Sequence, residues 1–185
     1  GSREELPFDV SIHRELTVQE LHGILKEDTD FFHYIGHIDA GGFECIDGRF
    51  DASSLQDTGV DVFFLNACTS YEQGKWLIEA GSIAGVVTLQ DVINSGAERV
   101  GMTLARLLNG GFPLRAAMSI ARTESIMGGH YLVIGDGSID IAQPKGFVPA
   151  LSKLKKAGGA WDLEYISFPT HENGMGTVST PFIEG

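Results

Sequence analysis

The chain has 185 residues, of which 43% are hydrophobic and 21% are charged, and this is the composition of one soluble globular domain. Its net charge of −12, from 25 acidic and 13 basic residues, would repel phosphate backbones, so we expect no nucleic-acid partner. No apolar run approaches the roughly 18 residues that span a bilayer, so we expect no membrane association. The two cysteines, Cys45 and Cys68, occur without an export signal, which favours free thiols in a cytoplasmic protein.

The sequence predicts a single domain over residues 1–185, with a core at about 8–143 and a C-terminal extension at 144–185. The chain begins at Gly1 and Ser2 without a methionine, and we therefore expect a domain excised from a longer protein. A regulatory sensor domain or partner protein would then act on this domain.

The first half of the chain predicts four elements in order: a strand at 8–12, a helix beginning after Thr17, a buried strand at 31–36 and a hairpin at 41–51. The helix has the clearest signal, because Thr17 and Glu20 form a capping-box pattern ahead of an apolar stripe. The hairpin is indicated by Asp47 and Gly48, a favoured two-residue turn.

The second half predicts strands and helices in alternation: a strand at 60–65, a helix at 71–80, a strand at 83–89, helices at 97–108 and 113–121, and a strand at 131–134. The apolar run at 62–65 is typical of a strand that is covered on both faces. Alternating strands and helices favour an α/β sandwich with a mainly parallel sheet. After Pro144 the pattern weakens, and it favours only a strand at 161–168 and a turn at 172–176.

Two predicted strands end in residues that could perform chemistry. His37 follows the strand at 31–36, and Cys68 follows the strand that begins at Val60. Ligands of open α/β sheets bind beyond the carboxyl ends of the strands, and neighbouring strands lie roughly 5 Å apart. A histidine within that reach can take the proton of a thiol and later protonate a leaving amine. The spacing predicts a Cys68–His37 catalytic dyad, with a core cysteine and a structural histidine as the alternative.

An oxyanion site is expected beside the same thiol. The helix predicted at 71–80 would direct its positive end and its unpaired amides toward Cys68. The amide of Cys68 is the natural oxyanion donor, and Ile38, in the loop after His37, would supply the second.

We expect no metal and no cofactor. His33 and His37 are four residues apart, but on a strand they lie about 13 Å apart, too far to share one zinc ion. His33 is instead expected to pack next to the dyad. Glycine-rich turns such as 135–137 suggest a nucleotide-binding domain as an alternative, but no helix with a Lys-Ser/Thr pair follows that turn.

Several fragments, in this order and spacing, resemble the CHAT branch of caspase-like cysteine peptidases: FHYIGH at 32–37, the hairpin with Asp47 and Gly48, FLNACTS at 64–70, GSIAGVVTLQD at 81–91 and LLNGGFP at 107–113. The resemblance covers about residues 15–135. It implies a caspase-like three-layer α/β/α sandwich and cleavage of a protein or peptide substrate by Cys68 and His37. Relatives often cut after a basic residue that an acidic pocket holds.

The resemblance also raises an alternative function. Relatives commonly carry glycine directly after the catalytic histidine, where this chain has Ile38, whose larger side chain would narrow the substrate pocket. The chain is therefore expected to be either an active endopeptidase or a catalytically inactive interaction module of a larger signalling or defence protein.

Asp91 is the first candidate for an acidic specificity pocket, because it closes the strand after the Cys68 strand, and Asp39 is the second. Both could equally serve as turn residues or helix caps. Asn66, which precedes the Cys68 turn, is expected to lie beside the site with His33.

Overall fold

A four-stranded sheet forms the centre of the fold in the computed structural model, which describes residues 9–92, 94–142 and 149–168. The elements follow in this order: α1 (Val18–Ile24), β1 (Thr29–Ile35), β2 (Ile38–Asp39), β3 (Gly42–Cys45), β4 (Gly48–Phe50), β5 (Val60–Asn66), α2 (Tyr71–Glu79), β6 (Ala84–Thr88), α3 (Asn94–Asn109), α4 (Leu114–Ala121), β7 (Tyr131–Gly135), β8 (Ala150–Ala157) and β9 (Ala160–Ser167). Short 3-10 turns lie at Ala52–Ser54, Arg122–Glu124 and Ile126–His130.

The central sheet has the strand order β1-β5-β6-β7. β1 pairs parallel with β5, and β5 pairs parallel with β6, which confirms a mainly parallel sheet. β7 runs antiparallel to β6, a direction that the alternation of strands and helices did not predict.

Helices cover both faces of this sheet because β5 is apolar on both sides. Val62 and Phe64 belong to the core that α3 and α4 fill, whereas Phe63 and Leu65 belong to the core that α1 and α2 complete. All four side chains are 0–1% exposed. The apolar run of β5 is therefore explained, as expected from the sequence, by coverage of the strand on both faces. The fold is a mixed α/β architecture with helices on both faces of its central sheet.

The capping box at the start of α1 is confirmed. The Thr17 hydroxyl oxygen accepts a hydrogen bond from the Glu20 amide (3.2 Å), and the Glu20 carboxylate accepts one from the Thr17 amide (2.8 Å). Asp47 accepts a further bond from the Val18 amide (2.8 Å), which ties the hairpin to the same helix end. Two of the donors left unpaired at the helix start are thereby satisfied locally.

Several details differ from the sequence predictions. No strand forms at residues 9–12, and residue 8 lies outside the described residues. β1 is an edge strand rather than a buried one, so Ile35 is 73% exposed. The hairpin forms, but Cys45 pairs with Gly48, so its turn is Ile46–Asp47, and β2 adds a third strand.

The C-terminal part contains a two-stranded hairpin. β9 confirms the strand expected at 161–168, and β8 pairs with it along its whole length. The sequence did not predict β8, because Lys153, Lys155 and Lys156 interrupt its apolar pattern. The turn expected at 172–176 lies outside the described residues. Across the described part of the chain, no helix combines the length and the apolar character needed to cross a membrane.

Close packing at β6 generates a test of the fold. A methyl group on Gly85 would lie 2.1, 2.3 and 2.4 Å from carbons of the buried Phe63 ring. We expect Gly85→Ala to lower the free energy of unfolding by about 1–3 kcal/mol, measured by urea denaturation. Gly23→Ala is the control, because nothing lies within 4 Å of that position in α1, and it should raise stability by up to ~1 kcal/mol. A neutral Gly85→Ala would contradict this packing.

Candidate active site

The parallel register of β1 and β5 ends just before both members of the expected dyad. Ile35 pairs with Asn66 at the last step of the parallel ladder. His37 and Cys68 each lie two residues further along the chain, so they follow the carboxyl ends of adjacent strands. Adjacent strands are separated by about 4.8 Å.

The period of two along each strand assembles one row of side chains from β1 and a second from β5. His33 pairs with Phe64 in the register, two residues before Ile35 pairs with Asn66. His37 and Cys68 lie beyond the strand ends, and they line the same groove as His33 and residues of α3.

A groove of about 560 Å³ runs between these strand ends and α3. Both members of the expected dyad line it. The strand side contributes His33, Ile35, Gly36, His37, Asn66, Ala67 and Cys68. The other wall is formed by Val92, Ala97, Glu98, Gly101, Met102 and Ala105. A volume of this size accommodates one or two amino-acid side chains of a peptide.

His37 is exposed, but its backbone is fixed. Its carbonyl oxygen accepts hydrogen bonds from the Tyr34 hydroxyl (2.9 Å) and from the Glu44 amide (2.9 Å). Burial raises the pKa of Tyr34 to about 12, so this hydroxyl remains a donor throughout the physiological range. A methyl group on Gly36 would lie 2.7 Å from the Tyr34 hydroxyl oxygen, so a larger residue there would displace the Tyr34 side chain. The hairpin and Tyr34 together position the imidazole at the groove.

Cys68 lies in a strained turn between β5 and α2. Thr69, directly after it, has φ = 45°, a left-handed conformation that is costly for a β-branched residue. Among the described residues, the thiol takes the Val92 carbonyl oxygen as its hydrogen-bond partner (3.9 Å), not His37. Catalytic hydrogen bonds are often long or poorly aligned before substrate binds, so this conformation is compatible with a Cys68–His37 dyad.

The two expected neighbours also line the groove. His33 stacks on Phe64, with ring centroids 4.7 Å apart and an interplanar angle of 17°. Asn66 is 6% exposed; its amide donates to the Ala97 carbonyl (3.0 Å) and its oxygen accepts from the Tyr131 hydroxyl (2.8 Å). Asn66 thus joins β5 to α3 and β7, and fixes the far wall of the groove relative to the strand ends.

Neither acidic residue expected from the sequence lines the groove. Asp39 is exposed and pairs with Arg49 (3.0 Å); the amide of Gly41, and then Arg49, lower the pKa of the Asp39 carboxyl. Asp91 is also exposed, and its carbonyl oxygen accepts from His130 Nδ1 (3.1 Å). Its neighbour Val92 lines the groove, whereas Asp91 itself does not.

The carboxylate that the described part of the groove does contain is Glu98, which sequence reasoning missed. Glu98 lies on the exposed side of the first turns of α3 and takes part in none of the ion pairs formed by the described residues. The only available signal was its position one residue after Ala97 at the start of an amphipathic helix. That signal does not distinguish a groove residue from an ordinary solvated glutamate.

Ile38, the expected second oxyanion donor, directs its side chain away from the groove. The side chain is 4% exposed and belongs to the core beside Phe43 and Phe50. The Ile38 side chain therefore does not narrow the groove, although its place after His37 was one reason to expect an inactive site. α2 begins at Tyr71 after Ser70, so the helix start expected beside Cys68 is present.

Within the described residues, no group of three or more histidine, cysteine or carboxylate side chains could hold a metal ion. No protein-family model matches the chain, and no curated protein matches it. The chemistry of the groove is therefore inferred from its own residues.

His33 generates a pH-dependent prediction. Desolvation by the surrounding groups lowers its pKa from 6.5 to about 4, although the residue as a whole is exposed. The unfolded chain then binds the proton at a higher pH than the folded chain. The contribution of His33 to the free energy of unfolding is therefore constant above about pH 6.5, and it decreases as the pH falls toward about 4.

We expect His33→Gln to lose less stability than the wild type between about pH 7 and about pH 5, measured by urea denaturation at both values. The comparison uses the difference between the two pH values, so the lost stacking on Phe64 and the carboxylates common to both proteins cancel. Equal losses in the two proteins would contradict a neutral, desolvated His33.

Proposed function

We propose that this chain is a cysteine endopeptidase of caspase-like three-layer α/β/α fold that cleaves a protein substrate through Cys68 and His37. The observation that carries the proposal is the groove that these two residues share beyond the carboxyl ends of β1 and β5. The mixed α/β sheet with helices on both faces and the resemblance of the sequence fragments to CHAT-type peptidases support it further.

The reaction would proceed in two stages. The sulfur of Cys68 attacks the scissile carbonyl while His37 takes the thiol proton, and the amides of Cys68 and Ile38 stabilise the oxyanion. The tetrahedral intermediate collapses to a thioester, and His37 gives its proton to the departing amine. A water oxygen then attacks the thioester carbonyl while His37 takes a proton from that water. The second tetrahedral intermediate breaks its carbon–sulfur bond and releases the carboxylic acid product, and His37 returns the proton to the Cys68 thiolate.

The dyad is tested with a thiol-directed peptide electrophile and a peptide library. We expect the electrophile to label Cys68 in preference to Cys45, read out by mass spectrometry of the digested protein. Cys68→Ala should abolish library cleavage, and His37→Ala should reduce kcat by about 10²–10⁴-fold. Cys45→Ala is the matched control, because it removes a thiol on β3 outside the groove and should leave cleavage unchanged.

Site-specific cleavage that Cys68→Ala retains would contradict the peptidase proposal. The folded state of each variant is checked by circular dichroism, so that loss of cleavage is not confused with loss of structure.

For the specificity, we propose that the enzyme cuts after a basic residue and that Glu98 binds this residue, in place of Asp91 or Asp39. Glu98 offers a carboxylate at the groove, and apolar groove residues such as Met102 and Ala105 would contact the aliphatic part of a lysine or arginine. A charged side chain bound in a partly desolvated groove gains more from a carboxylate than it would in open solvent.

We expect Glu98→Gln to lower kcat/KM for arginine or lysine substrates by about tenfold or more, with little change for glutamine or norleucine substrates. Asp91→Asn is the matched control: it removes an exposed acid of the same charge that does not line the groove, and it should change kcat/KM by less than about threefold. A larger effect of Asp91→Asn than of Glu98→Gln would reverse this assignment.

One observation favours the inactive interaction module as a second candidate. The Cys68 thiol is directed to the Val92 carbonyl oxygen, and its hydrogen bond to that atom would have to break before His37 could take the proton. This candidate predicts that no peptide in the library is cleaved, and that Cys68→Ala leaves binding to partner proteins unchanged.

A further inference from the structure

The turn that carries Cys68 is closed by two buried hydroxyl groups. Ser70 follows Cys68 by two residues, and Thr88 is the last residue of the neighbouring strand β6. Both residues are 0% exposed. They lie on opposite sides of the β5–β6 boundary, so any bond between them joins the end of one strand to the turn that follows the other.

The two residues are joined by reciprocal hydrogen bonds. The Ser70 amide donates to the Thr88 hydroxyl oxygen (3.1 Å), and the Thr88 amide donates to the Ser70 hydroxyl oxygen (2.9 Å). Each hydroxyl group also donates to a carbonyl of the Cys68 segment: Ser70 to Leu65 (3.0 Å), and Thr88 to Ala67. We call these four hydrogen bonds the hydroxyl clamp.

The hydroxyl clamp encloses Cys68 on both sides. Thr88 contacts the residue before the cysteine, Ala67, and the residue two positions after it, Ser70. Thr69 lies between these anchor points in its left-handed conformation. A strained residue persists only where its surroundings determine its conformation, and here the surroundings are four hydrogen bonds without access to water.

We infer that Ser70 and Thr88 are positioning residues that set the reactivity of the Cys68 thiol by fixing the turn at the end of β5. Neither side chain lines the groove, so both act through the backbone of residues 65–70. The inference rests on the proposed nucleophilic role of Cys68. It adds that the conformation of the thiol depends on β6, a strand that supplies no catalytic group.

The chain offers a matched control at the opposite end of β5. Ser82 is 5% exposed, and its hydroxyl donates to the Val60 carbonyl (2.7 Å) at the first residue of that strand. Ser82→Ala therefore removes a buried hydroxyl-to-carbonyl bond of the same kind without touching the Cys68 turn. It should cost stability as the clamp variants do, while leaving the thiol as reactive as in the wild type.

The experiment measures the rate of alkylation of Cys68 by iodoacetamide at neutral pH, with Cys45 in the same sample as an internal reference. We expect Thr88→Val and Ser70→Ala each to lower the Cys68 rate by about tenfold, because each variant removes two of the four buried hydrogen bonds that hold the turn of the thiol at the groove. Thr88→Ser, which keeps the hydroxyl group, should restore most of the rate. Sucrose is added to every sample to keep the variants folded.

Wild-type alkylation rates in folded Thr88→Val and Ser70→Ala would overturn the inference, and so would an equal effect in Ser82→Ala. Ser70→Ala retains both bonds in which Thr88 contacts Ala67 and the residue 70 amide, so it decides the question if Thr88→Val does not fold. Alkylation does not require peptide cleavage. A chain that cleaves no peptide but alkylates in a clamp-dependent manner would contradict the proposed function and leave the clamp standing.

Discussion

The parallel pairing of β1 with β5 is the constraint on which the candidate site depends. Its register pairs Ile35 with Asn66 at the carboxyl ends of the two strands, and an imidazole and a thiol follow two residues later along each chain segment. A shift of the register by one residue would turn one row of side chains to the opposite face of the sheet. The burial of β5 opposes such a shift, because each of its apolar side chains belongs to one of the two cores.

The supports of the two catalytic candidates differ in kind. His37 is held by a small antiparallel hairpin and by the hydroxyl group of Tyr34, whereas Cys68 is held by the buried bonds between Ser70 and Thr88. Helix α3 closes the groove from the third direction, and Asn66 ties its first turns to β5. The groove is therefore assembled from three separate parts of the fold, each with its own hydrogen bonds.

Much of this arrangement could be predicted from local patterns. The capping box at Thr17 predicted the start of α1, and the apolar run of β5 predicted a buried strand, because both signals lie in consecutive residues of the sequence. The alternation of side chains along β1 placed His33 and His37 on one face. The antiparallel direction of β7 could not be predicted, since nothing in an apolar strand of five residues encodes its direction. Glu98 was missed because its role depends on which way α3 faces across the sheet.

The hydroxyl clamp shows a similar limit. Serine and threonine in a sequence are usually solvated, and Ser70 and Thr88 are 18 positions apart, so only the pairing of β5 with β6 reveals that they meet. The same holds for Ile38, whose place after His37 suggested a narrowed groove. Only the packing of the hairpin shows that its side chain belongs to the core.

The edge position of β1 has a consequence for the order in which parts of the protein would unfold. Cys68 follows a strand that has neighbours on both sides and helices on both faces, whereas His37 follows a strand that has one neighbour among the described residues and an exposed Ile35. Edge strands with solvent-exposed hydrogen bonds open at lower free energy than the core of a sheet. Heat or denaturant would therefore release the imidazole first, so that the two candidate catalytic residues separate while the rest of the sheet is still folded.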